Sequence, residues 1–254
     1  ELVRKACRTR MTVKALERFK DVERFYVPWS FDYRGRAYPI PAFLTPQDTD
    51  FGKSLLRFSD GGFMSPEAED WLAFQCATTY GLDKKPMNER MEWVKANQSL
   101  IEYIALNPID SLPEWEEADE PWQFLASCDE YYHCVIACDR QFTKLPVATD
   151  ATCSGLQILA GLAKDASTAR MVNVLPSDKP QDAYAAVAEL AIPKCPEQWR
   201  QYIDRGVAKR LVMTIPYNAK FKSNWGYVKE ALCDPDKGKG LDIPKEDITV
   251  ITHA

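Results

Sequence analysis

The chain has 254 residues, 46% of them hydrophobic and 27% charged, which is enough to bury a sizeable core in one large domain or two ordinary ones. It contains no run of 18 or more apolar residues and no charged-then-apolar leader, which argues against a membrane span and a secretory signal and points to a globular cytosolic protein. The net charge of −5 argues against a polyanionic partner only if it is evenly spread, and it is not. From Ala96 to Asp139 there are ten acids and no Lys or Arg, so the rest of the chain carries +5 and leaves room for a basic groove. The eight cysteines form no C-x-x-C pair and read as small buried hydrophobes. Cys128, Cys134 and Cys138 with His133 match no compact zinc pattern, so core packing is the expectation there too. The chain starts at Glu1 and stops at Ala254 in what reads as the start of another element, so it is expected to be part of a longer protein.

Residues 1–24 hold eight basic and four acidic side chains, with Val13, Leu16 and Phe19 at helical spacing. They predict a basic amphipathic helix, either a solvated surface helix or one that tracks a nucleic-acid backbone. The extended aromatic run Phe25–Trp29 leads to Asp32-Tyr33-Arg34-Gly35-Arg36, followed by Tyr38. Gly35 permits a tight turn or a close backbone approach. The guanidinium forks of Arg34 and Arg36 suit phosphate, and Tyr33 and Tyr38 can pack on sugars or bases. A structural Arg paired with Asp32 explains the stretch equally well.

Residues 61–143 read as a helical module. Ser65 and Pro66 mark a helix start and Gly81 its end, a second helix is expected over about 88–106, and a third over about 121–139. Leu145-Pro146-Val147-Ala148-Thr149-Asp150 then reads as a buried strand stopping at one carboxylate, where a metal or phosphate can sit, and an apolar helix follows over 156–162. A further helix is expected over 181–191. Between 198 and 222, Arg205, Lys209, Met213 and Tyr217 fall on one helical face, with Lys209 and Tyr217 about 12 Å apart along the axis. That is about the span from a triphosphate to its base. The plain alternative is a basic surface stripe with an aromatic cap, and Pro216 predicts a kink in the last turn.

Together these motifs resemble the single-subunit, phage-type DNA-directed RNA polymerases, the group that includes the mitochondrial enzyme. Asp32-x-x-Gly35-Arg36 resembles the family's D-x-x-G-R element. Asp150-Ala-Thr-Cys-Ser-Gly-Leu-Gln157 is similar to its first catalytic motif, and Arg205 through Tyr217 resembles the nucleotide-binding helix R-x-x-x-K-R-x-x-M-T-x-x-Y. The resemblance implies an α+β, mainly helical fragment of a right-hand polymerase: a basic helix (1–24), palm (25–60), a helical palm insertion (61–143), palm with the first catalytic Asp (144–165), and the start of the fingers (166–254).

The resemblance further implies that Asp150 binds two Mg²⁺ ions, with the carbonyl of Ala151 helping on one. Arg205 and Lys209 would hold the triphosphate of an NTP, with Arg210, Met213 and Gly155 in the same nucleotide site. Lys209 would also protonate the leaving pyrophosphate, and Tyr217 would stack near the active base pair. Asp32, Arg34, Arg36 and Tyr38 would contact nucleic acid. The implied chemistry is a two-metal in-line displacement, and the implied partners are a DNA template, an RNA product and NTPs, with no membrane and a monomeric state. The expected location is cytoplasmic, of phage rather than mitochondrial origin. The family's second catalytic Asp is expected beyond Ala254.

A family A DNA polymerase is the nearest alternative. There a Glu stands at the position of Gly155 and an aromatic at the position of Met213, so both residues favour ribonucleotides. A third possibility is that these 254 residues bind nucleotide or nucleic acid without activity. Asn218 departs from the family pattern, which usually has Gly after the Tyr, and Asn tolerates the left-handed backbone better than most residues.

Overall fold

The basic segment at the start forms α1 (Leu2–Phe19), and one buried carboxylate fastens it. Asp48 accepts hydrogen bonds from Arg8 Nε at 2.9 Å, Thr12 Oγ1 at 3.4 Å and the backbone N–H groups of Leu44 and Thr49 at 2.8 and 2.7 Å. Burial would raise the Asp48 carboxyl, but these donors and the Arg8 charge hold it below the ordinary range. The computed structural model describes residues 2–33, 35–177 and 179–254, with side chains from Ala6 onward. These fall into two units, Glu1–Thr149 and Asp150–Ala254, each described by itself.

In the first unit, β1 (Trp29–Phe31) and β2 (Ala37–Pro39) form an antiparallel hairpin, and α2 (Asp50–Ser54) follows. The two-residue strands β3 (Gly62–Phe63) and β4 (Phe142–Thr143) pair antiparallel and bracket the helical module. That module contains α3 (Pro66–Ala77), α4 (Met87–Ala96), α5 (Gln98–Leu106), α6 (Leu112–Trp115) and α7 (Pro121–Tyr131). Ser65 caps α3 as the sequence suggests, its Oγ accepting from Ala68 N–H at 3.2 Å. The core is built from Leu72, Val94, Ile101, Ile104, Phe124 and their neighbours, and it includes Cys76, Cys128 and Cys134.

Two expectations change here. The single helix expected over 88–106 is broken at Asn97, whose Nδ2 donates to Trp93 O at 2.7 Å and whose φ of −113° leaves the helical range. A short polar side chain that bonds to its own backbone competes with the helical ladder. The strand expected at Leu145–Asp150 also does not form, because among the described residues no strand pairs with it. A strand is defined by its ladder, and here the backbone N–H groups go to side chains instead, Leu145 to Thr143 Oγ1 at 3.3 Å and Ala148 to Gln75 Oε1 at 3.1 Å.

The second unit contains α8 (Ser154–Ala163), α9 (Ala166–Met171), α10 (Ala183–Ala191), α11 (Arg205–Thr214), α12 (Phe221–Cys233) and α13 (Lys245–His253). Its core of Ile203, Val207, Val228, Leu232, Ile243, Ile248 and Ile251 lies beneath α11, α12 and α13. Trp199 Nε1 adds a bond to Asp247 Oδ2 at 2.7 Å. The whole is a mainly helical α+β fold with little sheet. No helix among the described residues is long and apolar enough to cross a membrane.

Candidate active site

Asp150 opens the second unit, with an exposed carboxylate. Its Oδ1 accepts the N–H of Ala151 at 2.8 Å, a local bond that turns the chain. Two residues on, Cys153 takes a left-handed conformation (φ 53°) and releases the chain into α8. Gln157 on α8 donates from Nε2 to Val172 O at 2.8 Å, and Thr152 Oγ1 accepts from Asn173 Nδ2 at 3.3 Å, so the loop is held from both sides.

α11 presents the second motif. Asp204 caps it, Oδ1 accepting Val207 N–H at 3.1 Å and Oδ2 pairing with Lys239 Nζ at 2.5 Å. Val207, Ala208 and Val212 are buried, which turns Lys209 and Met213 outward on the opposite side. Lys209 is exposed and has no ion pair or hydrogen bond among the described residues. Arg210 turns away, its guanidinium pairing with Glu230 at 2.5 Å and lying 4.2 Å from the Tyr227 ring centre. The helix ends where Pro216 removes a backbone donor. The ladder tightens into a 3₁₀ turn over Ile215–Tyr217, and Asn218 closes it at φ 62°. The kink expected at Pro216 and the left-handed tolerance of Asn218 are both used.

The structure brings the two motifs together at two points. A Cβ built on Gly155 would lie 3.4 Å from the Tyr217 hydroxyl oxygen and 3.4 Å from Pro216 Cβ. Tyr217 itself is 62% exposed, so one end of its ring remains free for a ligand. The second link runs through α10. Burial and the neighbouring Cys153 thiol push the Tyr184 phenol up to about 12. The Arg205 guanidinium lies 5.2 Å from the Tyr184 ring centre and pairs through Nε with Asp182 Oδ2. Burial would raise the Asp182 carboxyl, but the Arg205 bond and charge and the N–H groups of Ala185 and Tyr184 hold it below the ordinary range.

Asp182 and Tyr184 were not among the residues singled out from the sequence. Asp182 was legible only as a helix start, since nothing local says that its second oxygen meets an arginine 23 residues later. Of the first-unit candidates, Asp32 accepts the backbone N–H of Arg36 at 3.0 Å and so closes the β1–β2 turn, with Gly35 at φ 78°. Arg36 and Tyr38 are exposed on that hairpin, and Arg34 lies outside the described residues.

Among the described residues there is no group of three or more His, Cys, Asp or Glu side chains placed to hold a metal. His133 instead faces Asp139, Nδ1 to Oδ1 at 2.9 Å. Magnesium is commonly held by one or two carboxylates with water and substrate phosphates completing its shell, so the lone hard oxygen donor at Asp150 fits one vertex of such a site.

The sequence model of the DNA-dependent RNA polymerase family matches residues 64–252. The mitochondrial DNA-directed RNA polymerase of Schizosaccharomyces pombe is 35% identical over 233 residues, covering 87% of this chain and 20% of the relative. The mitochondrial DNA-directed RNA polymerase of Mus musculus is 37% identical over 212 residues, covering 76% and 17%. T7 RNA polymerase of Escherichia phage T7 is 30% identical over 273 residues, covering 88% and 29%. The chain therefore spans between 17% and 29% of the length of these relatives. The chain therefore belongs to the DNA-dependent RNA polymerase family, in the single-subunit group shared by phage and mitochondrial enzymes.

Proposed function

We propose that this chain supplies the nucleotide end of template-directed RNA synthesis, the transfer of NMP from an NTP to the RNA 3′ end. The observation that carries the reading is the approach of Gly155 to Tyr217, which joins the carboxylate motif to the cationic helix within one unit. In the proposed reaction the 3′ oxygen attacks the α-phosphorus, the bond to the bridging oxygen of pyrophosphate breaks, and the leaving group takes a proton. Arg205 and Lys209 bind the triphosphate, and Lys209, unpaired and on the exposed side of α11, is the proton donor to the pyrophosphate oxygen. Tyr217 offers a ring face to the base and a hydroxyl toward Gly155. Asp150, with the Ala151 carbonyl, would hold magnesium, which supplies charge stabilisation on the attacking and leaving oxygens.

In the same reading the segments around the sites form part of a palm and the start of fingers, and Arg36 and Tyr38 on the β1–β2 hairpin contact nucleic-acid backbone. Met213 lines the nucleotide face of α11, while Arg210 reaches it only by leaving Glu230. The relatives include mitochondrial and phage polymerases, so membership alone assigns neither compartment.

The test is sugar choice. A Cβ at Gly155 meets its neighbours at ordinary contact distance, so Gly155→Ala is expected to keep a preference for NTPs in a primer-extension assay with the intact polymerase carrying this chain. Gly155→Glu projects a carboxylate past Tyr217 and is expected to lower the NTP-to-dNTP incorporation ratio by about tenfold or more. An unchanged ratio in Gly155→Glu, or a wild-type preference for dNTPs, contradicts the ribonucleotide reading.

A further inference from the structure

The two carboxylate oxygens of Asp182 do different things. Oδ1 caps α10, accepting the N–H of Tyr184 at 3.0 Å and of Ala185 at 3.2 Å. Oδ2 takes the Nε–H of Arg205, whose guanidinium also lies over the Tyr184 ring. An arginine has five N–H donors in a planar fork. Engaging Nε from behind leaves the terminal N–H groups to face a ligand, and it restricts a side chain that otherwise samples many rotamers. The cap fixes Asp182 to the helix, and α10 packs along α11, so the carboxylate is a rigid anchor. The neighbouring cation differs: Lys209 has no such anchor among the described residues.

We propose that Asp182 is a positioning residue for nucleotide binding: it acts through Arg205, holding the guanidinium on the Tyr184 ring with its terminal N–H edge directed to the triphosphate. This rests on the nucleotide-binding reading of Arg205 above. The pairing is partly solvent-exposed, with side chains 41% and 37% accessible, so its effect is modest and not all-or-none.

The division of labour between the oxygens gives a clean variant. Asp182→Asn keeps the carbonyl oxygen that caps α10, since Asn and Asp are equivalent caps, but places an amide N–H₂ where Arg205 needs an acceptor. The experiment titrates the intact polymerase carrying this chain with a mant-labelled NTP in Mg²⁺, using wild type, Arg205→Ala, Asp182→Asn and the double variant, alongside melting temperatures. Arginine Nε–H signals are followed by ¹⁵N NMR, a readout that a helix cap alone does not move.

The expected result has four parts. Asp182→Asn weakens binding about threefold to fivefold. The same change on the Arg205→Ala background alters Kd by less than about 1.5-fold. The melting temperature stays at the wild-type value. The protected Arg205 Nε–H resonance is lost. If Asp182→Asn leaves Kd unchanged, or weakens binding equally on both backgrounds, the positioning role is overturned while the nucleotide site stands. If Arg205→Ala binds like wild type, or the wild type binds no nucleotide, the nucleotide-binding reading falls and this inference with it.

Discussion

Asn218 ends the turn that carries Tyr217, and it does so at φ 62°, where a Cβ is crowded by its own carbonyl. Asparagine accepts this conformation better than any branched residue. Asn218→Val is therefore expected to destabilise the protein by about 1–2 kcal/mol. Asn218→Gly is expected to be neutral or slightly stabilising, and urea unfolding of the two variants checks both. An Asn218→Val protein as stable as wild type would mean that the turn is not held in the left-handed form. At this scale the candidate residues were legible as types. Asp150, Gly155, Arg205, Lys209 and Tyr217 are residue types whose chemistry is local and whose spacing carries the pattern. Asp182 and Tyr184 were not, because their partners, Arg205 and Cys153, lie more than 20 residues away in sequence. Arg210 shows the reverse case, a basic residue inside the motif whose partners, Glu230 and Tyr227, belong to the next helix.

Among the elements, the helical module of the first unit is closed by Glu130 on α7, only 1% exposed. Arg57 Nη1 and Arg140 Nη1 donate to its Oε2, while Thr143 Oγ1 and Lys144 N–H donate to Oε1 at 2.8 and 3.1 Å. One side chain thus ties α7 to β4 and to the segment before β3. Burial would raise its carboxyl, but the Arg57 bond and charge, the Thr143 hydroxyl and the Lys144 N–H hold it below the ordinary range. Its stabilising contribution is therefore complete above the ordinary glutamate pKa and is lost as pH falls through the lowered folded value. Glu130→Gln is expected to cost about 3 kcal/mol at pH 7, at the lower end for a broken buried pair because both arginines keep contact with water. The same substitution should flatten the acid-side loss of stability, measured by urea unfolding at pH 7 and pH 4. An equal loss of stability on acidification in both proteins would contradict this.

Helix existence was legible at this scale because the apolar spacing and the Ser65 and Pro66 start are local signals. The break at Asn97 and the missing ladder at Leu145–Asp150 were not. The first depends on one side chain winning a backbone carbonyl, and the second on a pairing partner that no local pattern can specify.

Over the whole molecule, the uneven charge read from the sequence does not follow the division of structure: the first unit carries −6, with ten acids in one stretch, and the second carries +1. The lysine- and arginine-free stretch 96–139 lies within the helical module of the first unit, and Arg205, Lys209 and Asp150 belong to the second. Family membership was legible from three short motifs; the family match over residues 64–252 contains the Asp150 and Arg205–Tyr217 motifs, and the Asp32–Arg36 element lies before it. The proposed RNA synthesis depends most heavily on Asp150, because its exposed carboxylate is the side chain to which the proposal gives the magnesium. The most direct measurement is the rate of RNA primer extension by the intact polymerase carrying Asp150→Asn, a change that keeps size and shape and removes the charge. A fall of roughly a thousandfold or more is the expected result. A rate within about twofold of wild type would contradict the assignment of Asp150 to the catalytic centre.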